Sequence, residues 1–232
     1  MSNPHFSFKQ FNIRQDRCAM KVGTDGVLLG AWAEGGRHIL DIGTGTGLVA
    51  LMMAQRYADA EVTGIEIDDE AAAQAKENAA SSPFTERVCI HNVSLQDFNA
   101  GTTYDAITCN PPFYDNSLLC PDDCRTTARH TTSLSYHTLI EHCADLLSDD
   151  GTLSIIIPAE YLSKIESECA YASLFIRNKL FIRTTEKKAP KRVMLAIGKR
   201  RTDNTTCETA ILTKDGKRSE WYAQLTNNFY TK

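Results

Sequence analysis

The stretch His38-Ile-Leu-Asp41-Ile-Gly43-Thr-Gly45-Thr-Gly47-Leu48 decides the architecture of this chain. His38 to Ile42 is short, β-prone and mostly apolar, which reads as a strand with Asp41 at its end. The alternating glycines that follow let the backbone turn tightly and approach a ligand without Cβ obstruction. Leu48 to Tyr57 then takes up helical spacing, so a strand, a glycine loop and a helix follow one another. Downstream the alternation repeats. Glu61 to Glu66, Arg87 to Val93, Tyr104 to Cys109 and Thr152 to Ile157 read as strands, and Asp69 to Ala80 and Ser135 to Leu147 read as helices. The acids opening Asp69 to Ala80 sit where the helix dipole favours them. Strands alternating with helices predict a parallel sheet covered on both faces, with ligands at the carboxyl ends of the strands.

Beyond Ile157 the pattern gives a helix (about Ala159 to Leu174) and two strands, about Lys179 to Thr184 and Arg192 to Gly198. The link Glu186-Lys-Lys-Ala-Pro190 is too short for a crossover helix, so these strands form an antiparallel hairpin at the sheet edge. If the first runs parallel to the rest, the hairpin tip falls on the ligand edge, and Lys187, Lys188, Lys191 and Arg192 flank the site. An ordinary solvated loop is the competing reading. A strand from Glu208 to Thr213 and an amphipathic helix from Ser219 to Tyr230 finish the chain. The expected organisation is an N-terminal segment over residues 1–36, a core over 37–201, and a strand and helix over 202–232 packed on that core.

The chain has 232 residues, 42% of them hydrophobic, enough for one α/β domain with a real core. The first twenty residues contain no apolar stretch of the signal-peptide kind, and the longest apolar run is too short to span a bilayer, so a cytoplasmic protein with no membrane association is expected. Eight cysteines scattered without an export signal read as reduced thiols. Cys120 and Cys124, with His130 downstream, lack a fourth ligand at a recognised spacing, so no metal is expected. A net charge of −4 argues against non-specific coating of nucleic acid, although residues 177–201 are strongly basic. The sequence leaves oligomeric state open, with a monomer as the default.

The glycine loop favours S-adenosylmethionine over a dinucleotide. Its glycines at 43, 45 and 47 alternate rather than following G-x-G-x-x-G, and Asp41 precedes them, where a ligand with a free ammonium group has a use for an acid. Glu66 ends the next strand, where a carboxylate can accept both ribose hydroxyls, with Asp68 as the alternative. Asp97 and Phe98 follow the third strand, placed to meet the adenine of the cofactor by its amino group and its face. For Asp97 a turn or cap role competes.

The fourth strand delivers Asn110-Pro111-Pro112-Phe113 to the same edge. Consecutive prolines fix a stiff bend there. A nucleobase amino group is a poor nucleophile because its lone pair is delocalised into the ring. Hydrogen bonds from its two N–H groups to the Asn110 side-chain oxygen and the Pro111 carbonyl localise that lone pair. Phe113 stacks on the base, a contact worth about 1–3 kcal/mol. Asn110, Pro111 and Phe113 are thus the expected catalytic residues, Phe113 also binding substrate and Asn110 also bordering the cofactor. No general base is required, and the target base must be unstacked.

These residues resemble the bacterial tRNA1(Val) adenine-37 N6-methyltransferases, within the Asn-Pro-Pro-Tyr/Phe methyltransferases. The resemblance rests on Phe8-Lys-Gln-Phe11, the run Asp16 to Trp32, the glycine loop, the prolyl motif, Arg129-His-Thr-Thr132 and the helix from Ala223 to Tyr230. It implies a Rossmann-like class I methyltransferase fold with a seven-stranded, mostly parallel sheet closed by an antiparallel C-terminal hairpin. It also implies S-adenosylmethionine as cofactor, the tRNA anticodon loop as substrate, and an N-terminal cofactor lid in which Asp25 and the backbone near Lys21 touch the cofactor. A helix cap is the other reading of Asp25. Phe113 stands where the family often has Tyr, and the phenylalanine form is also common in enzymes that methylate guanine in ribosomal RNA. That guanine, adenine in DNA or a glutamine amide are the competing acceptors, although the glutamine-modifying relatives carry an N-terminal helical domain for which about 36 residues leave no room. A non-catalytic RNA-binding scaffold is the competing class, opposed by the intact Asp41, Glu66 and Asn110.

Overall fold

The computed structural model describes residues 3–111, 134–202 and 205–231. Its centre is an eight-stranded sheet. The first strands of the chain, β1 (His5–Ser7) and β2 (Asn12–Arg14), form a separate antiparallel hairpin. The sheet strands are β3 (His38–Ile42), β4 (Glu61–Glu66), β5 (Val88–Asn92), β6 (Tyr104–Cys109), β7 (Leu147–Pro158), β8 (Phe175–Arg183), β9 (Arg192–Gly198) and β10 (Thr206–Ile211). They lie in the order β10-β8-β9-β7-β6-β3-β4-β5. Pairing is parallel from β5 through β7. It becomes antiparallel on both sides of β9 and parallel again between β8 and β10. The C-terminal hairpin is therefore present, but the expected seven strands become eight. Thr206–Ile211 pairs along the outer edge of β8 rather than only packing on the core, which satisfies that edge's backbone groups.

Helices cover both faces. On one lie α1 (Thr24–Trp32), α2 (Leu48–Arg56) and α3 (Asp69–Ala80); on the other, α4 (Tyr136–Leu146) and α5 (Leu162–Tyr171). The alternation along β3 shows why both faces need cover. Ile39 packs with Leu51, Met52 and Val62 in one cluster, whereas Leu40 and Ile42 pack with Ile107, Leu139 and Ile155 in the other. Strands buried on both faces are apolar in both registers, as parallel sheets require. Asp68 caps α3, its Oδ1 accepting the Ala71 N–H at 2.8 Å, so this runner-up for the ribose role has a local structural one.

A two-stranded hairpin, β11 (Thr213–Lys214) with β12 (Lys217–Arg218), and α6 (Glu220–Thr226) end the described chain. The final segment packs against the first: Lys9 N–H donates to the Phe229 carbonyl, and the Phe8 and Tyr230 rings stack at 6.0 Å. Among the described residues no helix is long and apolar enough to cross a membrane.

Candidate active site

Two register pairs bring the separate motifs together. Ile42 lies beside Cys109 on β6 and beside Ile65 on β4. The residues that follow, Asn110, Gly43 and Glu66, therefore stand side by side at the sheet's carboxyl edge. This is also where the strand order reverses, with the chain running outward from β3 on one side and from β6 on the other. A crevice opens at such a switch point because the connecting loops diverge. It is a cleft of about 850 Å³.

Asp25, Asp41, Gly43, Gly45, Glu66, Asp97, Asn110 and Pro111 border this cleft. The loop uses its glycines for a physical reason: Gly43, Gly45 and Gly47 have φ of 66°, 55° and 81°, the left-handed region closed to most side chains. A Cβ on Gly43 would meet no atom of the described residues within 4 Å beyond its chain neighbours, so the loop backbone is open to a ligand on that side.

Asp41 is 2% exposed. Its Oδ2 accepts the Thr44 hydroxyl at 2.6 Å and its Oδ1 the Thr108 hydroxyl at 2.8 Å. Burial pushes its pKa up to about 6, and the two hydroxyls oppose that rise. Glu66 holds the loop from the other side. Its Oε2 accepts the Gly45 N–H at 2.9 Å and its Oε1 the Asp68 N–H at 3.0 Å, leaving each oxygen a further lone pair. Asp97 is anchored by Ser94, whose hydroxyl donates to Asp97 Oδ2 at 2.6 Å.

Asn110 differs from these. Its Oδ1 is buried and has no hydrogen-bond partner among the described residues, while its Nδ2 reaches only the Met20 sulfur at 3.8 Å. A buried carbonyl acceptor that is unmatched among the described residues and borders the cleft is one that an incoming N–H donor can use.

Two of the expected cofactor residues do not border the cleft. Gly47 opens α2 and packs toward α3, where its Cβ position lies 3.5 Å from the Ala75 Cβ. Phe98, half-buried, packs against the second core cluster near His91. Two large apolar side chains that border the cleft are well exposed, Met20 and Ile67, each 49% exposed, and Ile67 directly follows Glu66; Asn92 Nδ2 bonds the Glu66 and Ile67 carbonyls and fixes its backbone. Residues 18–21 also border the cleft. Ile67 was legible in principle, because an apolar residue just past a strand-ending acid falls at the ligand edge. Residues 18–21 carry no such local signal, and only the family resemblance pointed there, to the backbone near Lys21.

The hairpin of β8 and β9 stands as the spacing required. β8 runs parallel to β3, and Arg192 pairs with Pro158 at the carboxyl end of β7. Its tip lies on the ligand edge with Lys187, Lys188 and Lys191 exposed. Arg192 instead turns inward, its Nε donating to Asp25 Oδ2 at 2.7 Å. Phe113, Pro112, Cys120, Cys124 and the Arg129-His-Thr-Thr132 motif lie outside the described residues.

The reversed parallel sheet, the acid-led glycine loop and the adjoining Asn110-Pro111 together define a class I methyltransferase that uses S-adenosylmethionine. The residues present fit that cofactor: an open glycine cradle, a buried acid beneath it, and carboxylates at the ends of the next two strand connections. Residues 22–179 match the model of the methyltransferase small domain. The chain is 43% identical over 236 residues to a tRNA1(Val) (adenine(37)-N6)-methyltransferase of Bacteroides thetaiotaomicron, covering 99% of this chain and 98% of the relative. It is 45% identical over 235 residues to the enzyme of that name from Phocaeicola vulgatus, covering 99% of each. A predicted O-methyltransferase from Agrobacterium tumefaciens superposes with a TM-score of 0.68 over 88% of this chain and 96% of that one, at 20% identity, a likeness of fold. The chain belongs to the tRNA1(Val) (adenine(37)-N6)-methyltransferase family.

Proposed function

We propose that this chain methylates the exocyclic amino nitrogen of adenine-37 in the anticodon loop of tRNA1(Val). The observation that carries the reading is the buried Oδ1 of Asn110 beside the glycine loop, without a partner among the described residues. The acceptor base follows from the near full-length match to relatives bearing that name.

When bound, the cofactor supplies an electrophilic methyl group and a sulfonium leaving group. Glu66 would receive the ribose hydroxyls on its remaining lone pairs. Asp97 would accept from the adenine amino group of the cofactor, and Ile67, rather than Phe98, would lie against its face. Asp41, with both oxygens engaged by threonines, would act chiefly by holding the loop and by its charge.

Asn110 Oδ1 and the Pro111 carbonyl would each accept one N–H of the target amino group. That holds the nitrogen with its lone pair localised and aimed, and it stabilises the positive charge that develops there. The proton leaves to solvent after transfer, so no general base is needed. Phe113 would cover the base. Adenine in an anticodon loop is cheaper to unstack than one in a duplex. Lys187, Lys188 and Lys191 would neutralise phosphates at the cleft mouth, with Arg192 bracing the wall through Asp25.

The test is methylation of tRNA1(Val) transcripts by purified protein, read by nucleoside mass spectrometry. N6-methyladenosine is expected with adenine at position 37 and not with uracil there. Asn110→Ala and Phe113→Ala are each expected to lower kcat by about 10²–10³-fold, with cofactor affinity nearly unchanged. Wild-type turnover in both variants would refute the assigned roles, and methylguanosine in ribosomal RNA as the product would replace the substrate.

A further inference from the structure

Asn78 lies on the buried face of α3 and is 2% exposed. A carboxamide offers two N–H donors and one oxygen acceptor, and here all are used. Asn78 Oδ1 accepts the Arg14 N–H at 2.9 Å, and its Nδ2 donates to the Arg14 carbonyl at 2.9 Å and to the Thr46 carbonyl at 2.8 Å. The first two bonds pair the side chain with Arg14 as a neighbouring strand would. The third reaches the glycine loop between Gly45 and Gly47. One turn earlier Gln74, fully buried, repeats the device: its Oε1 accepts the Arg17 N–H at 3.2 Å and its Nε2 donates to Asp16 Oδ1 at 2.7 Å.

Residues 14–17 lead directly into Cys18 to Lys21, which border the cofactor cleft. The Cys18 sulfur lies 3.9 Å from the Cβ position of Gly45, so this segment rests on the loop. Two parts of the cleft wall far apart in sequence are thus tied to one helix by two amides. We infer that Asn78 is a positioning residue that couples the N-terminal segment to the glycine loop, and that with Gln74 it sets the register of the cofactor cleft.

The side-chain chemistry is specific. Alanine leaves an N–H and two carbonyls without partners, and aspartate, close in shape, turns a carboxylate toward the carbonyls of Arg14 and Thr46. On the same helix Glu77 is exposed and ion-paired with Arg14 and Arg17, which makes it a control for surface contacts to the same segment. The inference rests on the cleft as the cofactor site and not on the identity of the methyl acceptor, so its failure leaves the adenine-37 reading intact.

The experiment compares wild type with Asn78→Ala, Asn78→Asp and Glu77→Ala. It reads calorimetric Kd for S-adenosylmethionine, KM for both substrates, kcat, and amide exchange with and without cofactor. Both Asn78 variants are expected to raise cofactor Kd and KM at least about tenfold, with kcat within about threefold and KM for tRNA within about twofold. Glu77→Ala is expected to stay within about twofold throughout. In wild type, cofactor slows exchange at residues 14–17 as well as 43–47; in Asn78→Ala only the second effect persists, because the two segments are uncoupled. Should Asn78→Ala fail to fold, the near-isosteric Asn78→Asp carries the same test. Variants that lose thermal stability while binding cofactor with wild-type Kd, or a Glu77→Ala effect as large as that of Asn78→Ala, would overturn the inference.

Discussion

Replacing Asp41 with asparagine is expected to remove a pH dependence from cofactor binding. The Asp41 carboxyl has a pKa of about 6 because burial outweighs the help of the Thr44 and Thr108 hydroxyls. That is about two units above its ordinary value, or on the order of 3 kcal/mol against the ionised form. In the ligand-free protein the sign follows from a raised folded-state pKa: the stabilisation by proton uptake is full below about pH 4 and is lost as pH rises through 6. A cationic ligand beside Asp41 favours the opposite, ionised form, so binding between pH 5 and 7 must expel the proton. Cofactor affinity of the wild type is then expected to fall about tenfold between pH 7 and pH 5. In Asp41→Asn it is expected to be weaker at pH 7 and nearly flat across the range, since the threonine hydroxyls can reorient toward the amide. Titration calorimetry at pH 5, 6 and 7, in buffers of different ionisation enthalpy, reads both affinity and proton release. Urea unfolding of the two free proteins provides the complement, with the advantage of Asp41→Asn shrinking as pH falls from 7 to 4. An identical pH slope in both proteins, or no proton release by the wild type at pH 5.5, would show that Asp41 is not the group responsible.

Charge reversal at Lys187, Lys188 and Lys191 is expected to weaken tRNA binding at least about tenfold and to lower its salt dependence by up to about three charges, with cofactor Kd unchanged; filter binding across a salt series reads both, and unaltered tRNA affinity would return the tip to an ordinary solvated loop. Ile67→Ser is expected to weaken cofactor binding about five- to tenfold through lost apolar contact, with the fold intact, whereas Phe98→Ser should instead lower thermal stability with little change in the Kd of the folded protein; a reversal of that pattern would return the adenine face to Phe98.

Much of the fold was legible because it depends on local patterning. The strands at His38, Glu61 and Tyr104 and the helix Asp69–Ala80 appear within the bounds their periodicity predicts. The direction of the basic hairpin followed from the short Glu186 to Pro190 link, which admits only an antiparallel return. The eighth strand was harder to place. Its segment read as a strand, but which edge it joins is a contact with β8 that no local spacing encodes.

For the site, the sequence alone determined which residue types sit at strand ends: Asp41 before a glycine loop, Glu66 after the next strand, Asn110 before two prolines. Strand ends in a parallel sheet face one edge, so order along the chain was enough to gather them. Only the tertiary structure decided what each side chain has left to offer. It shows Asp41 with both oxygens engaged and Asn110 with an acceptor unmatched among the described residues, lays Phe98 against the second core cluster, and binds Arg192 to Asp25. It also joins Arg14 to Thr46 through Asn78, a link between three distant stretches of chain. Hydrogen-bond satisfaction depends on partners distant in sequence, which is why a motif can name the residues of this cleft without revealing which of them remain free for a ligand.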